Sequence, residues 1–228
     1  MKLAQAPAHT GAGVLQQTLR ITEIFHSLQG ETSRIGLPTV FVRLTGCPLR
    51  CGYCDTAYAF HGGQTLTIEK IVAEVARHGT RYVTVTGGEP LAQKNCLPLL
   101  SALAERGYSV SLETSGALDV SKVDPRVSRI VDIKTPGSGE VTRNHWENLE
   151  HLNACDELKL VICGEQDYMW AKDVLTERRL DRICPVLFSP AYGELDAASL
   201  AEWILRDRLP VRMQIQLHKV LWGEQPGR

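Results

Sequence analysis

No charge of either sign dominates this sequence: 25 Lys and Arg stand against 26 Asp and Glu, a formal net charge of −1. Such a balance leaves no basic field for DNA or RNA, and no nucleic-acid partner is expected. Long apolar runs are missing as well. None approaches the roughly 18 residues that a bilayer span needs, so no membrane segment is expected. Met1 to Gly13 lacks the charged-then-apolar layout of a signal peptide. Rich in Ala, Gly, Pro and Gln, it reads as part of a mobile leader (residues 1–19) ahead of one domain (residues 20–228). No repeat period or low-complexity tract follows the leader. A disulfide framework is lacking too: the cysteine count, 7, is odd, and three of them crowd between Cys47 and Cys54. A reducing, cytoplasmic setting is the better fit. Cys96, Cys155, Cys163 and Cys184 are scattered and read as small buried hydrophobes.

What is present is an alternation. Pro38 to Leu44 (PTVFVRL) reads as a strand, and Thr67 to His78 as a helix capped by Thr67 and stopped at Gly79. Strands follow at Arg81–Val85, Tyr108–Leu112, Arg129–Ile133, Leu158–Ile162, Val186–Phe188 and Val211–Leu217. Helices are expected over Lys94–Arg106, Gln166–Arg178 and Asp196–Arg208. The 228 residues suffice for one sizeable core. Strand–helix alternation argues for parallel βαβ units. About six to seven parallel strands fit an α/β fold of the incomplete TIM-type barrel kind, with a doubly wound open sheet as the rival.

Nearly every strand runs into a stretch rich in Gly and polar groups. These are TGCPLRCGYCDT after the first, then TGGEP, ETSG, KTPGSG, CGEQ and SPAYG, and finally His218-Lys219. Parallel α/β folds place their sites at the carboxyl ends of the strands, so one ring of candidate residues is expected.

Within that ring, Cys47, Cys51 and Cys54 form C-x3-C-x2-C. Structural zinc takes four ligands, and His61 is available as a fourth. Iron–sulfur clusters usually take four cysteines; three on a cubane would leave one iron open to a small molecule. Spacing alone leaves both metals in play.

The triplet, with Tyr53 before its last cysteine and Thr86-Gly87-Gly88-Glu89-Pro90 downstream, resembles the radical S-adenosylmethionine (SAM) superfamily. That resemblance implies a 4Fe–4S cluster on Cys47, Cys51 and Cys54, with SAM on the open iron. Tyr53 and Asp55 would then lie beside SAM, Gly88 and Glu89 would shape the pocket for its methionine part, and Glu113 and Ser115 would meet ribose and carboxylate. Asp132, Ile133 and Lys134, and Phe188, Ser189, Pro190 and Ala191, would reach the nucleoside.

A narrower resemblance runs from about Ile21 to Leu221. Leu28-Gln29-Gly30-Glu31, Pro38 to Leu44, Cys54-Asp55-Thr56, Glu113-Thr114-Ser115-Gly116 and Gln216-Leu217-His218-Lys219-Val220-Leu221 come in an order similar to the 7-carboxy-7-deazaguanine synthases. That family implies a lyase on the queuosine route that contracts 6-carboxy-5,6,7,8-tetrahydropterin to 7-carboxy-7-deazaguanine with loss of ammonia, using SAM catalytically. Leu28, Gln29, Gly30, Glu31, Arg43, Thr86 and His218 would bind the pterin, with Arg43 on its carboxylate. Thr56 would carry Mg²⁺. A homodimer and an external reductant of flavodoxin or ferredoxin type are further family expectations. The chain departs from the family in Glu31-Thr32, where Glu-Gly is usual, and in continuing from Trp222 to Arg228. An activating enzyme for a glycyl-radical protein shares the triplet and the GGEP-like strand; a non-catalytic zinc or cluster module would not need the polar ring.

Overall fold

The computed structural model describes residues 11–223, 225 and 227. Helix α1 (Ala12–Leu15) leads into β1 (Thr18–Leu28), which turns back as β2 (Pro38–Leu44). Then come β3 (Gln64–Thr67), α2 (Ile68–Arg77), β4 (Tyr82–Gly87), α3 (Cys96–Glu105), β5 (Ser109–Thr114) and β6 (Ser128–Asp132). The chain ends with β7 (Glu157–Ile162), α4 (Glu165–Glu177), β8 (Val186–Pro190), α5 (Ala197–Asp207), β9 (Arg212–Met213) and α6 (Leu217–Trp222). Among the described residues nine strands form one sheet in the order β3-β1-β2-β4-β5-β6-β7-β8-β9. From β2 to β9 neighbouring strands are parallel. Its edge strands β3 and β9 do not pair with each other, so the barrel is incomplete.

Two-residue periodicity organises the sheet. Val40, Val42 and Leu44 of β2, Val83 and Val85 of β4, Val110 and Leu112 of β5, and Leu158, Leu160 and Ile162 of β7 join the buried core. The alternate positions carry Arg43, Thr86, Glu113, Asp132, Lys159 and Ser189, which face an interior cavity. The core helices follow from local signals. Thr67 accepts a hydrogen bond from Lys70 N at 3.2 Å to start α2, and Ile68, Ile71, Val72 and Val75 form its buried stripe.

Three expectations change. β1 and β3 are antiparallel additions at one edge, β1 pairing with β2 from Ile21↔Leu44 to Leu28↔Pro38. The expected strand Val211–Leu217 shrinks to Arg212–Met213 and gives way to α6. Here the chain leaves the sheet because the Gln214 side chain accepts from Thr32 N at 2.8 Å and Leu217 N donates to Gly30 O at 2.9 Å. Of the expected leader, residues 1–10 lie outside the described residues. Its remainder forms α1 and the start of β1, where Leu19 is 2% exposed.

The loop between β1 and β2 floors the half-barrel. Arg34 donates to Ser109 O and Val110 O at the start of β5, and Ser33 N donates to the Glu157 carboxylate at the start of β7. Thr32 sits at φ 68, a left-handed conformation uncommon for a β-branched residue. It is held there by Gln214 and by its own hydroxyl, which accepts from Arg34 N at 3.1 Å.

Candidate active site

A cavity of about 400 Å³ opens at the carboxyl ends of the parallel strands. The expected residues Cys47, Cys51, Cys54, Tyr53, Asp55, Thr56, Gly88, Glu113, Ser115, Asp132, Lys134, Ser189, Pro190 and Ala191 all line it. So do Leu28, Gln29, Gly30, Glu31, Arg43, Thr86 and His218. Residues from both ends of the chain thus share one volume.

Three expected side chains do not face it. Ile133 and Phe188 fall on the other parity of their strands and pack in the core, Phe188 edge-on to Tyr168 with ring centroids 6.3 Å apart. Glu89 is 0% exposed and sits behind the wall. Its carboxylate accepts from Leu91 N, Thr114 Oγ1, Ser115 N and Ser115 Oγ, tying the ends of β4 and β5 together. The GGEP glycine also has a local reason. A Cβ on Gly88 would lie 2.3 Å from Gly46 O and 2.7 Å from Cys47 Cβ, so Gly88 lets the end of β4 press against the first cysteine.

The polar lining is a continuous chain of contacts. Lys134 Nζ is 2.7 Å from Asp132 Oδ2, and Lys159 Nζ is 3.4 Å from Asp132 Oδ1 and 2.8 Å from Glu31 Oε2. Gln216 Nε2 donates to Glu31 Oε1 at 2.9 Å and to Asp55 Oδ2 at 3.2 Å, and Thr56 Oγ1 donates to Asp55 Oδ1 at 2.7 Å. Gln29, 3% exposed, donates to Glu113 Oε1 at 3.2 Å and accepts from Glu31 N at 3.2 Å; Thr86 Oγ1 donates to Glu113 Oε2 at 3.0 Å. On the opposite wall Arg43 Nε meets Glu23 Oε1 at 2.7 Å, and its guanidinium lies by the rings of Phe25 and Tyr58. No hydrogen bond from its Nη groups reaches a described residue. His218 packs on Gly30, where a Cβ would meet Nδ1 at 2.1 Å.

Burial and charge set the protonation states. Burial pushes the Glu113 carboxyl up, against Lys159 nearby. Burial would raise Asp132 too, but Lys134 and Lys159 hold it below its ordinary value. It would lower both lysines, but Asp132 together with its neighbours raises Lys134, as Asp132, Glu31 and Glu113 raise Lys159. Against burial, hydrogen bonds from Thr56 and Gln216 keep Asp55 low, and burial lowers His218. Cys47 and Cys51 are pushed up by burial, so metal binding must displace their protons.

Among the described residues no group of three or more His, Cys, Asp or Glu closes on a single metal ion. For a 4Fe–4S cluster with SAM, the fit rests on other features. Three free thiols face one cavity, and Leu49 N donates to Cys47 Sγ at 3.4 Å, the kind of bond that supports a cluster thiolate. The Tyr53 hydroxyl is buried without a partner, with Lys134 Nζ 5.8 Å from its ring centroid. These residues fit the group.

Lys159, Phe25, Phe41 and Tyr192 also line the cavity, although no motif singles them out. Lys159 did leave a signal, the lone charge within the apolar run 158–162 and in step with the inward row.

Comparison with known proteins agrees with this geometry. Residues 41–132 match the radical SAM superfamily, the class of enzyme that a half-barrel with this cysteine triplet defines. The crystal structure of QueE from Escherichia coli superposes with a TM-score of 0.72 at 26% identity, covering 87% of this chain and 94% of that one. A 7-carboxy-7-deazaguanine synthase from Chlorobaculum tepidum is 49% identical over 90% of this chain and 94% of its own length. Another, from Koribacter versatilis, is 41% identical over 90% and 97%. The chain belongs to the 7-carboxy-7-deazaguanine synthase family, radical SAM enzymes of the queuosine route.

Proposed function

We propose that this enzyme converts 6-carboxy-5,6,7,8-tetrahydropterin to 7-carboxy-7-deazaguanine with loss of ammonia. The observation that carries the reading is that Arg43, Glu31 and His218 share one 400 Å³ cavity with the three cysteines. Cys47, Cys51 and Cys54 would hold the cluster, and Tyr53, Asp55, Gly88, Glu113, Ser115, Asp132, Lys134 and the Ser189–Ala191 turn would surround SAM. When bound, a reduced cluster and SAM would supply radical chemistry at C6 of the pterin.

The chain's own residues bind and orient the pterin. Glu23 fixes Arg43 through Nε, which leaves the Nη edge for the substrate carboxylate. Glu31, held by Lys159 Nζ at 2.8 Å, accepts from the pterin's amino groups, while the backbone of Leu28 to Gly30 meets the remaining edge. In this arrangement Gln29 acts mainly as a brace between Glu31 and Glu113. His218 and Thr86 close the pocket.

Thr56 would hold Mg²⁺ through its hydroxyl, a hard oxygen that lies 2.7 Å from Asp55 Oδ1. The seven free thiols support a cytoplasmic enzyme. A homodimer of one-domain subunits and a flavodoxin or ferredoxin donor complete the proposal; among the described residues no helix is long and apolar enough to cross a membrane.

The test is anaerobic reconstitution with iron and sulfide, then addition of the pterin, SAM, Mg²⁺ and a reductant. A 7-carboxy-7-deazaguanine product is expected. Release of 5′-deoxyadenosine with no deazapurine overturns the assignment.

A further inference from the structure

Lys159 is the one lysine on the inward row of β7, and its ammonium stands between two acids from distant parts of the chain. Asp132 is its register partner on β6. Glu31 lies on the floor loop, 128 residues earlier. Lys159 Nζ contacts Glu31 Oε2 at 2.8 Å and Asp132 Oδ1 at 3.4 Å. Each acid also has a second partner of its own, Gln216 for Glu31 and Lys134 for Asp132. Lys159 therefore joins two otherwise separate clusters. One belongs to the floor loop and α6, the other to the end of β6 beside Tyr53.

An ion pair needed only for folding has no reason to stand in a ligand cavity. The buried pair Arg129–Asp156, with Nη2 2.7 Å from Oδ2, already ties β6 to the segment leading into β7 outside that cavity. Lys159 lies in the cavity lining itself, with Glu31 and Asp132 beside it. With its ammonium gone, those two carboxylates and Glu113 would share a poorly solvated space with their mutual repulsion uncompensated.

We propose that Lys159 is a positioning residue that holds Glu31 to the substrate and Asp132 to SAM, so that the two binding halves keep one geometry. This rests on the roles given above to Glu31 and Asp132. Its ammonium stays protonated throughout, because burial, which would lower it, is outweighed by Asp132 and Glu31.

The experiment uses Lys159→Met in the reconstituted, cluster-bearing protein and reads binding rather than turnover. SAM affinity is taken from the SAM-induced change in the reduced cluster's EPR signal. Pterin affinity is taken from anaerobic calorimetry with 6-carboxytetrahydropterin. Both dissociation constants are expected to rise about tenfold or more, the scale of one lost charge-assisted hydrogen bond. Lys172→Met, which breaks an ion pair with Asp207 away from the cavity, should change neither. If Lys159→Met binds both ligands within twofold of wild type, or loses only one of them, the proposal is overturned. Should the single variant not fold, Lys159→Met with Glu31→Gln removes the unbalanced charge, and its SAM affinity decides. If wild type does not bind the pterin, the substrate assignment fails, while the SAM arm still decides whether Lys159 sets Asp132.

Discussion

Gly88→Ala is the most direct perturbation of the link between the β4 end and the cluster loop. The new Cβ would stand 2.3 Å from Gly46 O, 2.6 Å from Gly46 C and 2.7 Å from Cys47 Cβ. Two of the three are backbone atoms, which cannot swing aside as a side chain can. Moving from 2.3 Å to an ordinary contact at 3.4 Å demands a displacement of about 1.1 Å. The β4 end is also tied down: Gly88 N donates to Leu44 O at 3.2 Å, and Glu89 N to Gly46 O at 2.8 Å. The Cys47 loop must therefore yield, at a cost of about 1–3 kcal/mol as in overpacked cores. A shift of that size at one cysteine is large against the tolerance of a metal–sulfur bond, about 0.2 Å. The assay is iron and sulfide per chain after reconstitution, with the EPR signal of the reduced cluster and the thermal midpoint alongside. Cluster content should fall severalfold while the apo protein remains folded. Gly52→Ala is the control on the same loop, since its Cβ would meet only Gly137 O at an ordinary 3.7 Å. A Gly88→Ala protein with full iron content and an unchanged midpoint would refute the reasoning.

Two further outcomes follow from the same geometry. Arg43→Lys keeps the charge but loses the planar fork, so the pterin KM should rise at least about tenfold while the SAM-induced EPR change persists; an unchanged KM would remove Arg43 from the carboxylate site. Asp132 ties acid stability to the cavity. Its folded value lies below the ordinary 3.8 because Lys134 and Lys159 outweigh the effect of burial. A carboxyl depressed in this way contributes stability above its unfolded value, and that contribution is lost as pH falls through the folded value. Urea midpoints should therefore show wild type ahead of Asp132→Asn near neutral pH, with the gap closing below about pH 4. A gap that stays constant down to pH 2 counts against the ion network.

Much of this architecture is legible in local pattern. The C-x3-C-x2-C spacing, the strand Pro38–Leu44, the Thr67 cap and the polar stretches after each strand all reflect interactions within a few residues. The structure keeps them nearly in place. Residues 132–134 show where locality stops. One strand-end stretch supplies Asp132 and Lys134 to the cavity and Ile133 to the core, because neighbouring side chains on extended backbone point to opposite faces. Phe188 and Ser189 divide in the same way.

Taken by itself, the amino-acid order determined which residues stand at strand ends, which thiols can share a cluster and which family the chain resembles. Only the tertiary structure decided which partner each strand chose, so the antiparallel β1 and β3 and the two-residue β9 could not be foreseen. It also turned Glu89 from a pocket wall into a brace, set Gly88 against the cysteine loop and brought Lys159 to Glu31 across 128 residues. The reason is physical: caps, spacing and alternation are set by neighbours a few residues apart, whereas a buried ion network exists only where the fold brings remote charges into one poorly solvated volume.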